Sequence, residues 1–241
     1  MLLLATMLTL VAVGVGVGPD AMQPSAQRVT VTAVVGLLAP LFWPGVALTP
    51  ARTAWRVVVW SAAAAMLAAA ALRVTGQATQ PYAKILLSCA VLMLMLLVAH
   101  ALAAALESRL RSGAADAQGA RETAGRTVAL VLVLLASLPL WAGPLAERVS
   151  GRHGWAVDAV IGVSPLTHLA VASGNDLLRN QWFYQHANLA GLQFAYPGLV
   201  EVAATYGSAC LVLAVGTISF ERRRRGLAIA TLSPQPTENT P

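Results

Sequence analysis

The sequence predicts an all-α, polytopic integral membrane protein with six transmembrane helices and two short outer-leaflet helices between spans five and six. Hydrophobic residues make up 57% of the chain and charged residues only 11%, too few to cover a water-soluble core. Several apolar runs reach the length of about 20 residues that crosses a bilayer as a helix. Basic residues lie at the ends of these runs, as topology determinants do, and this placement argues against a nucleic-acid interface.

The six candidate spans belong to a single transmembrane domain over residues 1–225. They cover about residues 2–18, 29–48, 55–72, 85–106, 127–146 and 198–220. No basic residue precedes the first run and no small-x-small cleavage site follows it, so we expect a retained span and not a cleaved signal peptide. Pro40 and Pro44 predict a kink in the second span. The alanine-rich third span is predicted to pack closely at the centre of the bundle.

The arginines Arg222–Arg225 close the last span and predict a cytoplasmic C-terminus, followed by a disordered cytoplasmic tail at 226–241. Both termini are then inside, and 107–126 is a solvated cytoplasmic loop. Ten basic residues lie inside and six outside: Arg52, Arg56, Arg109, Arg111, Arg121, Arg126 and Arg222–Arg225 against Arg28, Arg73, Lys84, Arg148, Arg152 and Arg179. Arginine-rich links and alanine-rich spans suggest a bacterial inner membrane.

The outer segment 147–197 lies between the last two spans. Its apolar part is short and interrupted by polar residues, so a complete crossing is not expected. Ser164 has the form of an N-cap followed by proline at the first helical position, and Gly174 lies where a helix stops. These signals predict a helix over Pro165–Ser173. A second short helix is predicted over Asp176–His186, among aromatic residues typical of a membrane interface.

This layout resembles the permease subunits of type-2 ATP-binding-cassette (ABC) exporters. The resemblance is carried by six spans with both termini inside, by the Ile161–Thr167 stretch around Ser164-Pro165 in a folded outer segment, and by the basic cluster that closes the last span. It implies an exporter permease that works with a second copy or a related permease and with a separate ATPase subunit. ATP is then expected on that separate subunit.

The residues themselves carry no nucleotide or catalytic motif. The sequence has no G-x-x-x-x-G-K-[ST] loop, and Ser164 lacks the G-x-S-x-G context of a hydrolase nucleophile, so we expect no enzyme activity and no cofactor in this chain. Glu201, Thr205 and Ser208 fall on one face of the last span and are candidates for lining a translocation path. The alternative is that Glu201 only reaches the outer headgroups.

Four arginines of the predicted loop at 107–126 are candidates for docking the ATPase: Arg109, Arg111, Arg121 and Arg126. They equally fit a role limited to holding this loop inside. Since the resemblance is one of layout, a structural or assembly subunit that transports nothing remains an alternative function.

Histidines and cysteines indicate neither a metal nor a disulfide. His100 is the one histidine inside a clear span, where a hydrogen bond to a neighbouring helix is the favoured interpretation and a haem- or quinone-binding subunit the weaker one. His153, His168 and His186 match no compact metal motif, and we expect no metal site. Cys89 and Cys210 both lie in apolar runs, where a thiol behaves as a small hydrophobe.

Overall fold

The structure is a computed structural model that describes residues 24–47, 49–74, 81–111, 116–150, 155–176 and 195–232. The described part of the chain is helical and contains no β-strand. Its helices are α1 (Pro24–Leu38), α2 (Pro50–Val74), α3 (Tyr82–Arg111), α4 (Ala117–Ala136), α5 (Leu138–Ser150), α6 (Trp155–Val163), α7 (Pro165–Ser173) and α8 (Leu199–Leu232), with a 3-10 turn at Ala39–Phe42 after α1.

Four of the described helices are long and apolar enough to cross a membrane. They are Ser25–Phe42, which joins α1 to the 3-10 turn, then Pro50–Val74, Tyr82–Arg111 and Leu199–Gly216 of α8. The pair α6 and α7 gives a fifth if it counts as one bent span. These helices are compatible with a multi-pass membrane protein, but six spans are not found among them. The predicted first span, 2–18, lies outside the described residues.

Helix α3 is the centre of the bundle, and it contacts α1, α2, α4, α7 and α8. The prediction that the alanine-rich third span takes this place is wrong, because only 33% of the apolar window of α2 is buried, against 50% of that of α3. The small side chains of α2 do allow close packing, but along one face only, where Ala65, Ala68 and Ala71 are buried. The other face of α2 exposes large side chains, among them Trp60 and Met66.

The prolines of the second predicted span end its helix and do not kink it. Helix α1 stops at Leu38, the 3-10 turn follows with Pro40 in its first turn, and residues 43–47 have no regular secondary structure. Proline lacks the N–H group that would continue the helical bonds, and Pro44 disfavours helical geometry at the residue before it. The helix therefore ends here, and residues 43–47 form a linking segment that leads toward α2.

The predicted fifth span, 127–146, is divided between two helices at Ser137. Pro139 falls in the first turn of α5, where its missing N–H group costs no bond. The first part of α4 was predicted to be solvated loop, but it is helical. Asp116 caps this helix by accepting from the backbone N–H of Gln118 at 2.9 Å, and Arg126 pairs with Glu122 one turn earlier at 3.0 Å.

Helices α6 and α7 meet at Ser164 with a bend of 79°. The predicted helix Pro165–Ser173 is confirmed at both ends, and Gly174 stops it in the left-handed conformation with φ at 67°. The second predicted outer helix is not tested, because residues 177–194 lie outside the described part. Within the described residues, the short helix that accompanies α7 is α6, which precedes it.

Both ends of this pair lie at the end of the bundle where α8 begins. Asp158 of α6 accepts from the backbone N–H of Ala195 at 3.4 Å, and Asp176, just after α7, accepts from the hydroxyl of Tyr196 at 2.5 Å. The pair thus enters the bundle and returns, and we call it the hairpin. The bundle has a hairpin end, where α1, α3 and α8 begin, and an arginine end, where α3 ends and α4 begins.

Helix α8 is the least enclosed of the candidate spans. Only 11% of its apolar window is buried, against 33–56% for the other three. It runs on through Arg222–Arg225 to Leu232, so residues 226–232 are helical where the sequence predicts a disordered tail. Residues 233–241 lie outside the described part.

Candidate functional site

Three of the described helices, which meet at the hairpin, end inside the bundle or at its rim, and each leaves carbonyl groups without a partner in its own helix. An α-helix leaves its last four carbonyls unpaired, and inside a membrane these groups need a protein donor. The three ends are those of α4, α6 and α7, and each provides one carbonyl that receives a side-chain hydrogen bond from elsewhere in the chain. These three bonds hold the hairpin in place.

The first bond joins the tip of the hairpin to the break between α4 and α5. The hydroxyl of Ser164 donates to the carbonyl of Ala136, the last residue of α4, at 3.2 Å. The sequence predicted that Ser164 caps α7, and this is wrong: it occupies the N-cap position, but its side chain makes no capping bond. A buried hydroxyl has one proton to donate, and the unpaired carbonyl of a broken helix takes it here.

The second bond closes the bend of the hairpin on itself. The Nε2 atom of His168 lies 2.9 Å from the carbonyl of Gly162, in the last turn of α6. Because a carbonyl only accepts, Nε2 carries the proton, an assignment made from the hydrogen-bond network. The Nδ1 atom lies 2.9 Å from the hydroxyl of Tyr206, which then donates to it, and the two rings meet edge to face. His168 thus connects α6, α7 and α8.

The third bond fixes the far end of α7. Arg28 of α1 is 94% buried and donates through Nη2 to the carbonyl of Ser173 at 2.7 Å and through Nε at 3.3 Å. A cation at a helix C-terminus also interacts favourably with the helix dipole. The hydroxyl of Ser173 meets that of Ser88 on α3 at 3.1 Å. The sequence places Arg28 in an outer link, whereas in the structure it is buried on α1 against the end of α7.

A second polar cluster lies at the arginine end, around Glu107. This carboxylate is fully buried in the last turns of α3. Its Oε2 atom accepts from the indole N–H of Trp43 at 2.7 Å and from the backbone N–H of Val46 at 2.9 Å, and Oε1 accepts from Arg111 at 2.6 Å. Charge-assisted bonds of this kind are stronger than neutral ones. They hold the linking segment 43–47 against α3.

Trp43 extends this cluster into the bundle. Its ring is buried and stacks on the imidazole of His100, with 5.5 Å between the ring centres. The Nδ1 atom of His100 lies 2.9 Å from the hydroxyl of Ser61 on α2, so the predicted bond to a neighbouring helix is confirmed. The ring also bonds the backbone of Ala39. These contacts make His100 a brace between helices.

The three residues predicted to line a path lie on the outside of this chain. Glu201, Thr205 and Ser208 are exposed on α8. Their polar groups bond their own helix: Glu201 accepts from the backbone N–H of Gly198 at 2.8 Å, and the two hydroxyls donate to backbone carbonyls one turn earlier. The shared face predicted from the spacing is present, but it does not face the interior of this bundle.

The four arginines predicted to dock a partner have different surroundings. Arg111 pairs with the buried Glu107, and Arg126 pairs with the exposed Glu122. Arg121 and Arg109 are exposed at the same end of the bundle. The predicted set therefore does not form one uniform surface, because Arg111 also takes part in the internal cluster.

Several residues of these clusters are given no role by the sequence, and Glu107 and Tyr206 are the two whose spacing carries a signal. Glu107 was assigned to a loop, although its spacing of four residues from Arg111 is the signal of a helical ion pair. Tyr206 is given no role by the sequence, although it falls one turn after Val202 on the same helical face, which is buried. His153 and His186, which were also considered, lie outside the described residues.

Comparisons with protein-family models, with curated proteins and with solved structures found no match. The structure alone therefore describes the class to which the chain belongs: an all-helical protein with several helices that can cross a membrane and an inserted hairpin. Chemically, Ser164, His168 and Arg28 at the hairpin and Glu107 at the arginine end are taken up by hydrogen bonds within the chain and act as fixed braces. A surface for ligands or partners is offered instead by the exposed faces of α2 and α8.

Proposed function

We propose that this chain is a membrane-spanning permease subunit of an ATP-driven exporter, and that it forms the translocation path together with a second permease. One observation carries the proposal: the polar face of α8, with Glu201, Thr205 and Ser208, lies on the surface of an almost unburied apolar helix. Ionisable side chains within spans normally face a protein interior or a water-filled cavity. A second subunit against α8 would supply that interior.

The hairpin supports a role in transport. Non-helical backbone at membrane depth is tolerated where protein covers it or where it lines a cavity, and the bend at Ser164 is covered by α4. The hairpin also contacts α8 through the bond of His168 to Tyr206. A movement of α8 against a second subunit would therefore displace the hairpin. The hairpin closes the bundle at the end opposite the arginines.

In this proposal the arginine end faces the cytoplasm of a bacterial inner membrane and both termini are cytoplasmic, because basic residues favour that side. A separate ATPase would bind ATP and contact this end of the bundle. Arg109, Arg121 and Arg126 are exposed there and are the members of the predicted docking set that do not pair with Glu107. An acidic surface on the ATPase would complement them.

A photo-cross-linker placed on α8 tests the second subunit. Ser208→Cys is made in a chain that also carries Cys89→Ser and Cys210→Ser, labelled with benzophenone maleimide and irradiated in native membranes. We expect a protein adduct that contains a second copy of the chain or a related permease. Leu130→Cys, on the exposed face of α4, is the matched control and should capture lipid. Equal capture at the two positions would argue against a subunit interface on α8.

Mild-detergent purification of the tagged chain tests the ATPase. Mass spectrometry of the purified complex should find a Walker-motif ATPase in amounts comparable to the chain. A chain that keeps its cross-linked neighbour at Ser208 but never retains an ATPase would favour the alternative function, a structural or assembly subunit. The bracing of the hairpin by three internal bonds is compatible with that alternative as well.

A further inference from the structure

Three arginines from three different helices surround Gly45 in the linking segment 43–47. Arg56 of α2 donates to the carbonyl of Gly45 at 3.0 Å. A Cβ atom placed on Gly45 would lie 3.0 Å from Cδ of Arg121 on α4 and 3.3 Å from Oε1 of Glu107, which pairs with Arg111. We call Arg56, Arg111 and Arg121 the arginine cluster. Gly45 has φ at 88°, where a side chain would be strained.

The cluster carries more positive charge than the surrounding residues compensate. Glu107 is its one carboxylate, and it is already occupied by Arg111, Trp43 and Val46. Within the described residues, Arg56 and Arg121 form no ion pair, and both side chains are exposed. The cluster thus contains three guanidinium groups and one carboxylate, which Arg111 pairs, and this leaves two positive charges available to an anion. Because Arg56 and Arg121 both contact the segment that Glu107 fixes, their side chains lie on the same part of the surface.

An exposed apolar face begins directly beside the cluster. Val59 and Trp60 follow Arg56 at three and four residues along α2 and so lie on the same side of the helix, with 40% and 42% of their surfaces exposed. Met66 continues the exposed apolar side with 66% of its surface exposed. Arg52 precedes Arg56 by one turn. The surface of α2 therefore carries arginines at the arginine end and an exposed apolar strip that begins one turn further along the helix.

We propose that the arginine cluster and this strip form a binding site for an anionic phospholipid. Arg56 and Arg121 would bind its phosphate group, and its acyl chain would lie along Val59 and Trp60. Guanidinium groups bind phosphate with paired, directional hydrogen bonds, and basic pockets between membrane helices bind anionic headgroups. A free phosphate or an acidic protein segment would use the charges alone, whereas a lipid uses the charges and the apolar strip together. This site goes beyond the proposed transport function and does not depend on it.

Native mass spectrometry of the full-length chain, freed of lipid in a mild detergent, tests the site. Phosphatidylglycerol and phosphatidylcholine with identical acyl chains are titrated separately. We expect phosphatidylglycerol to bind at least about tenfold more tightly, and the double variant Arg56→Gln with Arg121→Gln to lose that preference. Arg126→Gln, an exposed arginine at the same end that pairs with Glu122, is the matched control and should keep it. Trp60→Ala should weaken the binding of phosphatidylglycerol without altering the charge.

Folding of each variant is checked by circular dichroism and size exclusion. Arg121→Gln alone keeps the test valid if loss of the Arg56 bond to Gly45 prevents folding, since Arg121 makes no hydrogen bond to the described residues. Equal binding of the two lipids, or an unchanged preference in Arg121→Gln and in the double variant, would overturn the proposal. So would full competition by millimolar inorganic phosphate, which identifies a site for the free anion. If the arginine variants keep their lipid binding but no longer co-purify with an acidic protein that the unmodified chain retains, the cluster is a protein-docking surface instead.

Discussion

The hairpin end and the arginine end both bury polar side chains, but their acceptors differ in kind. At the hairpin, the acceptors are backbone carbonyls at three helix ends, each bound by one side chain: Ser164, His168 and Arg28. At the arginine end, a single carboxylate, that of Glu107, accepts from Trp43, Val46 and Arg111. The first region distributes its polar bonds over separate helix ends, and the second concentrates them on one side chain.

This difference determines what a single substitution removes. Loss of one donor at the hairpin leaves one carbonyl unpaired, and carbonyls tolerate this better than N–H groups do. Loss of Glu107 leaves several donors unpaired at once, two of them in the same short segment. We therefore expect the arginine end to depend on one residue, whereas the hairpin should weaken in steps.

The largest effect is expected for Glu107→Ala. Removing the carboxylate leaves the buried indole N–H of Trp43 and the N–H of Val46 without an acceptor, and we expect the free energy of unfolding to fall by about 3 kcal/mol. Denaturant titration in detergent micelles, followed by tryptophan fluorescence, measures it. Glu122→Ala removes an exposed carboxylate of the same end and should cost about 0.5 kcal/mol or less. Similar losses for the two variants would contradict the concentrated role of Glu107.

His168→Phe should have the next largest effect. The phenyl ring keeps the volume but leaves the carbonyl of Gly162 and the hydroxyl of Tyr206 without partners, so we expect a loss of about 2 kcal/mol in the same titration. Tyr206→Phe removes only one of these two bonds and should cost about 1 kcal/mol. If Tyr206→Phe costs as much as His168→Phe, the bond to Gly162 contributes nothing, and the stepwise description of the hairpin fails.

Ser164→Ala should have the smallest effect, about 1 kcal/mol, since it removes the single bond to the carbonyl of Ala136. Ser208→Ala is the matched control, because that hydroxyl bonds its own helix on an exposed face and its loss should be close to neutral. Hydrogen exchange of the residues around the bend reports the local change. A neutral Ser164→Ala variant would show that packing alone holds the tip of the hairpin.

The part of the hairpin that the sequence predicted correctly is the part with local causes. Pro165 at the first helical position and Gly174 in the left-handed conformation act on the backbone of their own turn, and the helix between them has the predicted bounds. The role of Ser164 was predicted wrongly because its partner, Ala136, is distant in sequence. A capping pattern cannot reveal an acceptor that another broken helix brings near.

The same reasoning explains the errors elsewhere. Glu107 lies among charged residues, so the local composition indicates a loop, whereas the linking segment with Trp43 and Val46 covers it in the structure. The alanines of the third predicted span show that close helix contact is possible, but they do not show on how many faces. In the structure α2 packs closely on one face only. Ser137 divides a continuous apolar run, because a following proline allows a new helix to start as easily as it kinks an old one.

The bond between Arg28 and Ser173 has a consequence for the order of events during synthesis. The two residues are separated by 145 positions in the chain, and a ribosome adding about 5–20 residues per second needs roughly 7–30 s to cover them. Throughout this interval the guanidinium group has no carbonyl of α7 to bind. We expect Arg28 to stay in the headgroup region, with α1 shallow in the bilayer, until the hairpin is synthesised. The bond to Ser173 can then form, and α1 can take its final depth.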